Sequence, residues 1–342
     1  MTETVWLGTL VVLLGGLMEG SFALPLKYSI RWSWENSWAL YSLVGLVVIP
    51  CTAALATVPN LSSVYRSVPP DRLLLLLGFG FCWGIANVLF GLAVQMVGMA
   101  ISFAIVVGMS AALGSLIPFL VLAPQRIGQT SGRLVLSGIA LALCGVVLLG
   151  VAGKRRENAA IPKGLDGSAD YSATVKGILL CVLAGLLAPM LNFSYAFGSD
   201  VRVSAIQHGA HPAGATNAIW ALALLGGFIS NGGYCVFKLT RNRTWSKFRS
   251  SNTGNHWLLA ALMGILWTGG ILLYGWGATA LGHLGPVIGW PAFQATMIVI
   301  SSVWGGLYGE WRSSDPSVLS FNYLGLGTLV VAIGVLSIGN RG

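Results

Sequence analysis

A glutamate stands at position 19, deep inside an apolar stretch covering residues 5–26. Its helical neighbours Gly15, Gly16 and Ala23 are small, so that face suits the interior of a helix bundle better than lipid. An intramembrane carboxylate costs free energy unless it has a use or a partner. It either carries a proton or substrate, or pairs with a buried donor. Asn87 and Asn192 also fall in the middle of apolar stretches, and Gln294 near the start of another. Amides in such places bind a polar ligand or join helices by hydrogen bonds. Pro189 lies three residues before Asn192 and removes a helical hydrogen bond there. His283 opens a tight turn and can titrate near neutrality. No G-x-x-x-x-G-K-[ST], H-E-x-x-H or G-x-S-x-G pattern occurs, and no two mid-span ionisable groups are close in sequence. A catalytic set is therefore not expected, nor is a metal site. His208-Gly209-Ala210-His211 has a ligand-like spacing, but its glycine and the following Pro212 predict a loop.

The elements that must position these residues follow from composition. Of 342 residues, 55% are hydrophobic and 8% charged, against about 25% charged in an ordinary soluble domain. The apolar residues come in blocks of roughly 20, the length of a bilayer-crossing helix. Ten spans are predicted, at 5–26, 38–57, 73–96, 99–122, 134–152, 176–197, 214–237, 257–280, 287–309 and 319–338. The chain reads as an all-α polytopic membrane protein whose first partner is the lipid bilayer. The net charge of +9 reflects short basic loops rather than nucleic-acid binding. Cys51, Cys82, Cys144, Cys181 and Cys235 lie in or at the ends of apolar runs, without metal-ligand spacing, and no disulfide is expected.

Orientation follows from Lys and Arg in alternate loops. The loops after the odd-numbered spans and their flanks carry 13, the other side six. The first set is expected in the cytoplasm, which leaves both termini external. Shifting the chain by 184 residues places Trp83 on Trp267, Phe90 on Tyr274, Gly91 on Gly275 and Gly98 on Gly282. The organisation expected is a five-helix repeat over 1–152, a cytoplasmic linker over 153–175 and a second five-helix repeat over 176–342. An odd span number forces the repeats into opposite orientations, an arrangement of secondary transporters with the site near the midplane. The glycine pairs Gly80/Gly84 and Gly305/Gly309 allow close helix approach. Trp32, Trp34, Trp38 and Trp311 lie near span ends as interfacial anchors, and Glu310 is expected in a local pair beside Arg312.

Several runs carry a family resemblance: Pro25-Leu26-Lys27 with Trp32-Ser33-Trp34-Glu35, Trp83-Gly84-Ile85-Ala86-Asn87, Lys176-Gly177, Tyr274-Gly275-Trp276-Gly277 and Gly309-Glu310-Trp311. In order and over nearly the whole chain they resemble the bacterial L-rhamnose–proton symporters of the drug/metabolite transporter superfamily. The chain departs from that pattern at Glu19, where the family carries a small residue, and at His283-Leu284-Gly285-Pro286, which replaces a more acidic segment. The resemblance implies sugar–proton symport across the cytoplasmic (inner) membrane, with a small-molecule sugar as ligand, no cofactor and the proton gradient as driving force. A drug or metabolite exporter and a facilitative sugar carrier are the alternatives. An aromatic face packs on the C–H face of a sugar while amides and carboxylates take its hydroxyls. The expected sugar-binding set is Trp83, Asn87, Asn192, Trp267, Tyr274 and Gln294, with Glu19 and then His283 for proton coupling. The aromatic members serve equally as ordinary core.

Overall fold

The computed structural model describes residues 2–159, 171–312 and 314–339. Within them ten helices are long and apolar enough to cross a membrane. Spans 1 to 5 are Val5–Tyr28, Trp34–Thr57, Pro70–Val97, Met99–Leu122 and Thr130–Ala159. Spans 6 to 10 are Thr174–Gln207, Pro212–Arg241, Gly254–Ala280, Gly282–Leu307 and Pro316–Gly339. A helix satisfies its own backbone in hydrocarbon, which is why hydropathy alone locates these elements. The expected linker is shorter than its sequence: span 5 continues as helix to Ala159, carrying Lys154, Arg155 and Arg156 with it. Residues 160–170 of that linker lie outside the described residues, and the next helix begins at Tyr171.

Proline interrupts several spans. Span 6 ends a helical segment at Leu187 and restarts at Met190, on either side of Pro189. Span 2 takes a π-turn over Val44–Val48 ahead of Pro50. There Thr268 Oγ1 donates to the Gly45 carbonyl at 2.6 Å, one of the side-chain bonds that make irregular backbone tolerable in a bilayer.

The chain divides into two compact units. The first holds Glu3–Ile85 and Met190–Gly282, the second Ala86–Pro189 and His283–Gly342. Each draws on both sequence halves, and the division falls inside spans 3 and 6.

In the first unit, spans 3 and 7 meet backbone to backbone. A Cβ on Gly80 would lie 1.6 Å from the Ala223 carbonyl oxygen, and one on Gly226 2.1 Å from that of Leu77. No side chain fits, so glycine is required for this crossing. An apolar cluster around Val64, Leu76, Val201 and Ile219 closes one end, where Tyr65 donates to the Ala218 carbonyl at 2.9 Å. At the other end the turn after span 7 is tied to the start of span 2. Trp32 belongs to that tie: it is buried, and its indole N–H donates to the Lys247 carbonyl at 3.1 Å. It is not a lipid-facing anchor, because a carbonyl and three aromatic neighbours offer it a better environment than the interface.

In the second unit, spans 5 and 10 pack closely, with Gly145 and Gly325 each against the other's carbonyl. Phe119, Val135, Ile288 and Leu336 form one core cluster, and Val107, Val146, Ile298 and Leu329 another. Glu310 pairs with Arg156 of span 5 at 3.5 Å. The Arg156 guanidinium also lies over the Trp311 ring, 4.5 Å from its centroid. Gly309 does not serve helix approach, because it lies past the end of span 9 at φ +76°. Glu157 accepts from the Ala100 N–H at 3.0 Å, placing a carboxylate on the N-terminus of span 4.

The 184-residue shift reappears in three places. Gly98 and Gly282, at φ +85° and +79°, turn the chain out of spans 3 and 8 in the left-handed conformation that glycine adopts freely. Trp83 touches its counterpart Trp267, and Ser110 touches Gln294, the residue 184 positions on.

Candidate functional site

Glu19 of span 1 is buried, and the small residues opposite it make room for a second side chain. A Cβ on Gly270 would come within 3.3 Å of the Glu19 Cβ. One turn earlier on span 8, the Trp267 indole lies within hydrogen-bonding reach of the Glu19 carboxylate. The carboxylate oxygen Oε2 has no hydrogen-bond partner among the described residues. A buried acceptor in that condition is unusual enough to mark a place for a proton or a ligand group.

The Trp267 ring is itself held on both sides. It stacks on Trp83 with centroids 5.1 Å apart and 27° between planes, while Tyr41 meets it edge-on at 6.2 Å and 90°. Three expected residues, Glu19, Trp83 and Trp267, are thus in one place. Tyr41 was not among them. Nothing in its sequence surroundings, the start of an ordinary apolar run, distinguishes it from a core tyrosine.

Tyr274 lies seven residues beyond Trp267, two turns along the same face of span 8. Its hydroxyl donates to Asn192 Oδ1. Asn192 comes just after the break at Pro189, so the proline that ends one helical segment also sets where the amide emerges. Around this pair stand Tyr195 and Trp220, with Tyr195 stacked on Trp220 at 5.9 Å and 15°. Tyr195 also shares a hydrogen bond with Thr279 at 3.1 Å. The Trp220 indole N–H is fully buried without an acceptor among the described residues. Tyr195 is legible in retrospect, because it lies three residues from Asn192 and therefore on its face. Trp220, 28 residues away, carries no such signal.

The second unit holds the remaining candidates. Gln294 is buried in span 9, and its Nε2 donates to Ser110 Oγ at 3.3 Å. Trp290, one turn earlier, donates from its indole N–H to the Ser110 carbonyl at 3.1 Å. Its ring fits against Gly114, where a Cβ would sit 2.5 Å from the indole nitrogen. Ser110 was not among the expected residues, although it lies 184 positions before Gln294. Asn87 is half-buried and makes no side-chain hydrogen bond among the described residues. His283 is exposed, and its Nε2–H donates to the Leu122 carbonyl at 2.9 Å, closing the end of span 4.

His208 and His211 stay local: the first bonds the Ser204 carbonyl at 2.8 Å, and the second accepts from the Ala213 N–H at 3.3 Å. No group of three or more His, Cys, Asp or Glu able to hold a metal is found among the described residues. The arrangement in the first unit has the chemistry of a ligand and proton site. A carboxylate with a free oxygen on span 1 lies beside aromatic faces, and two turns along span 8 the Tyr274 phenol meets an amide from span 6 and an orphan indole N–H from span 7.

Comparison with known proteins agrees in kind. The L-rhamnose-proton symporter of Cronobacter sakazakii is 25% identical over 346 residues, covering 99% of either chain. Those of Citrobacter koseri and Escherichia coli are 24% identical over the same extent. A solved crystal structure covers 98% of this chain and 97% of its own with a TM-score of 0.61. At 17% identity it shows a shared fold. The family model of the L-rhamnose-proton symport protein matches residues 1–341, and this chain, with its ten helices, belongs to that family.

Proposed function

We propose that the protein carries L-rhamnose, or a closely similar deoxysugar, across the membrane together with a proton. Membership of the symporter family supports the reading, and one structural observation carries its mechanism. The Glu19 carboxylate is buried within reach of the Trp267 indole, and its Oε2 is unpaired among the described residues. Such a group loads a proton from one side and releases it to the other when alternating access changes its surroundings. The stacked Trp83 and Trp267 offer an apolar ring surface, and a 6-deoxyhexose has a methyl group that suits one. Asn192 and Tyr274 supply amide and hydroxyl groups for the sugar's own hydroxyls. The family is one of transporters, not enzymes.

The reading is tested with purified protein in proteoliposomes. An imposed inside-alkaline gradient should drive L-rhamnose inward against its concentration, and a rhamnose gradient alone should carry protons with it. Sugar movement without protons would make the protein a facilitative carrier. Proton-driven efflux of unrelated compounds, with no rhamnose uptake, would make it an exporter.

The basic loops support a cytoplasmic location for the turns after the odd-numbered spans, with both termini on the external side. Two contacts within the second unit accord with alternate crossing: Glu310 meets Arg156 from two odd-side turns, and His283 meets Leu122 from two even-side ends. Reporters fused before Thr2 and after Gly342 are expected to signal the external side. Cytoplasmic signals from both fusions would reverse the orientation and leave the ten spans in place.

A further inference from the structure

Spans 2 and 7 leave a groove of about 740 Å³ between them, in the first unit. Leu40 and Leu43 line it from span 2, and Phe228 and Val236 from span 7, with Trp245 and Trp257 at one end. Leu43 and Val236 are 43% and 51% exposed, so the groove opens outward to the bilayer rather than into the core. From Phe228 to Leu239, both liners, the helix rises about 16 Å at 1.5 Å per residue. That is close to one leaflet, half of the roughly 30 Å hydrocarbon core. Arg249 is the one charged residue in the lining.

The turn that carries Arg249 is strongly basic. Residues 238–249 include Lys238, Arg241, Arg243, Lys247 and Arg249 and no acid. It is also built, not loose. Glu35 Oε1 accepts from Asn242 Nδ2 at 3.0 Å and from Thr244 Oγ1 at 2.9 Å. Asn36 Nδ2 donates to the Thr244 carbonyl at 3.0 Å, and Lys247 Nζ to Ser33 Oγ at 2.7 Å. These bonds fix the turn over the end of the groove. The Arg249 guanidinium stays exposed, with no ion pair or hydrogen bond among the described residues.

We propose that this groove binds one anionic phospholipid, whose acyl chain lies between spans 2 and 7 while Arg249 takes the phosphate. Charge decides the occupant. A zwitterionic lipid fills the apolar part equally well but brings its own cation to a turn that already holds five. Basic pockets at the ends of membrane helices favour anionic headgroups for this reason.

The test is native mass spectrometry of the full chain with phosphatidylglycerol and phosphatidylcholine of identical acyl chains, at equal concentration. The parent protein should retain phosphatidylglycerol in preference. Arg249→Gln should lower that retention about fivefold, the equivalent of about 1 kcal/mol for one basic residue at a membrane surface, and leave phosphatidylcholine unchanged. Leu43→Trp, which fills the groove, should lose both lipids. Arg66→Gln, a charge on a different turn, should lose neither. Glycerol phosphate, which has the headgroup chemistry without the chains, should not compete. Equal retention of the two lipids by the parent, or no loss in Arg249→Gln, would overturn the proposal. Displacement by glycerol phosphate would also overturn it, in favour of a simple anion site.

Discussion

Glu19→Gln protein is expected to bind sugar and exchange it across the membrane, yet to accumulate none when a proton gradient is applied. Glutamine has the shape of the protonated glutamate, so the indole N–H of Trp267 can still meet an oxygen at that position. What it lacks is the ability to give the proton up. At one proton per sugar, a gradient of one pH unit is worth about 1.4 kcal/mol and sustains about tenfold accumulation in the parent. In the variant the sugar should only equilibrate. The measurement is labelled-rhamnose uptake into proteoliposomes with and without the gradient, alongside counterflow with no gradient. If the variant still concentrates sugar and still carries protons, coupling lies elsewhere. His283 is then the next residue to test, although its exposure and its bond to the Leu122 carbonyl fit a helix end better than a proton carrier.

The second large effect is at Trp267. Alanine there removes the stack on Trp83, the edge contact with Tyr41 and the donor to Glu19 at once. Truncation of a buried aromatic of this size costs about 3–5 kcal/mol, so the melting temperature should fall clearly. Sugar binding should weaken by more than about 1 kcal/mol as well, the usual cost of deleting an anchor residue at a buried interface. The two effects separate when binding is measured on folded, monodisperse protein well below the variant's melting temperature. Trp267→Phe refines the comparison, because it keeps an aromatic face for Trp83 but has no N–H for Glu19. It should recover much of the binding lost in the alanine variant. If Trp267→Ala is destabilised but binds like the parent, the tryptophan pair is core and the sugar lies elsewhere.

The sequence by itself determined the ten spans and the set of buried polar groups, because each of these depends on local properties. A segment of about 20 apolar residues must close its own hydrogen bonds wherever it ends up. A carboxylate inside it is conspicuous whatever surrounds it. Trp83 and Trp267, which the 184-residue shift aligns, were both on the list of candidates and stack on each other. Tertiary structure decided the rest. That Trp267 lies beside Glu19, that Trp220 stands beside Tyr274, and that Glu310 meets Arg156 all depend on side-chain shapes brought together from distant spans. Trp32 looked like an interfacial anchor by its place in the chain and is instead buried against the turn after span 7. Nor does hydropathy mark the boundary between Ile85 and Ala86, where one continuous helix passes from the first compact unit to the second. Packing partners, not the composition of span 3, set that boundary, and partners are a property of the folded chain.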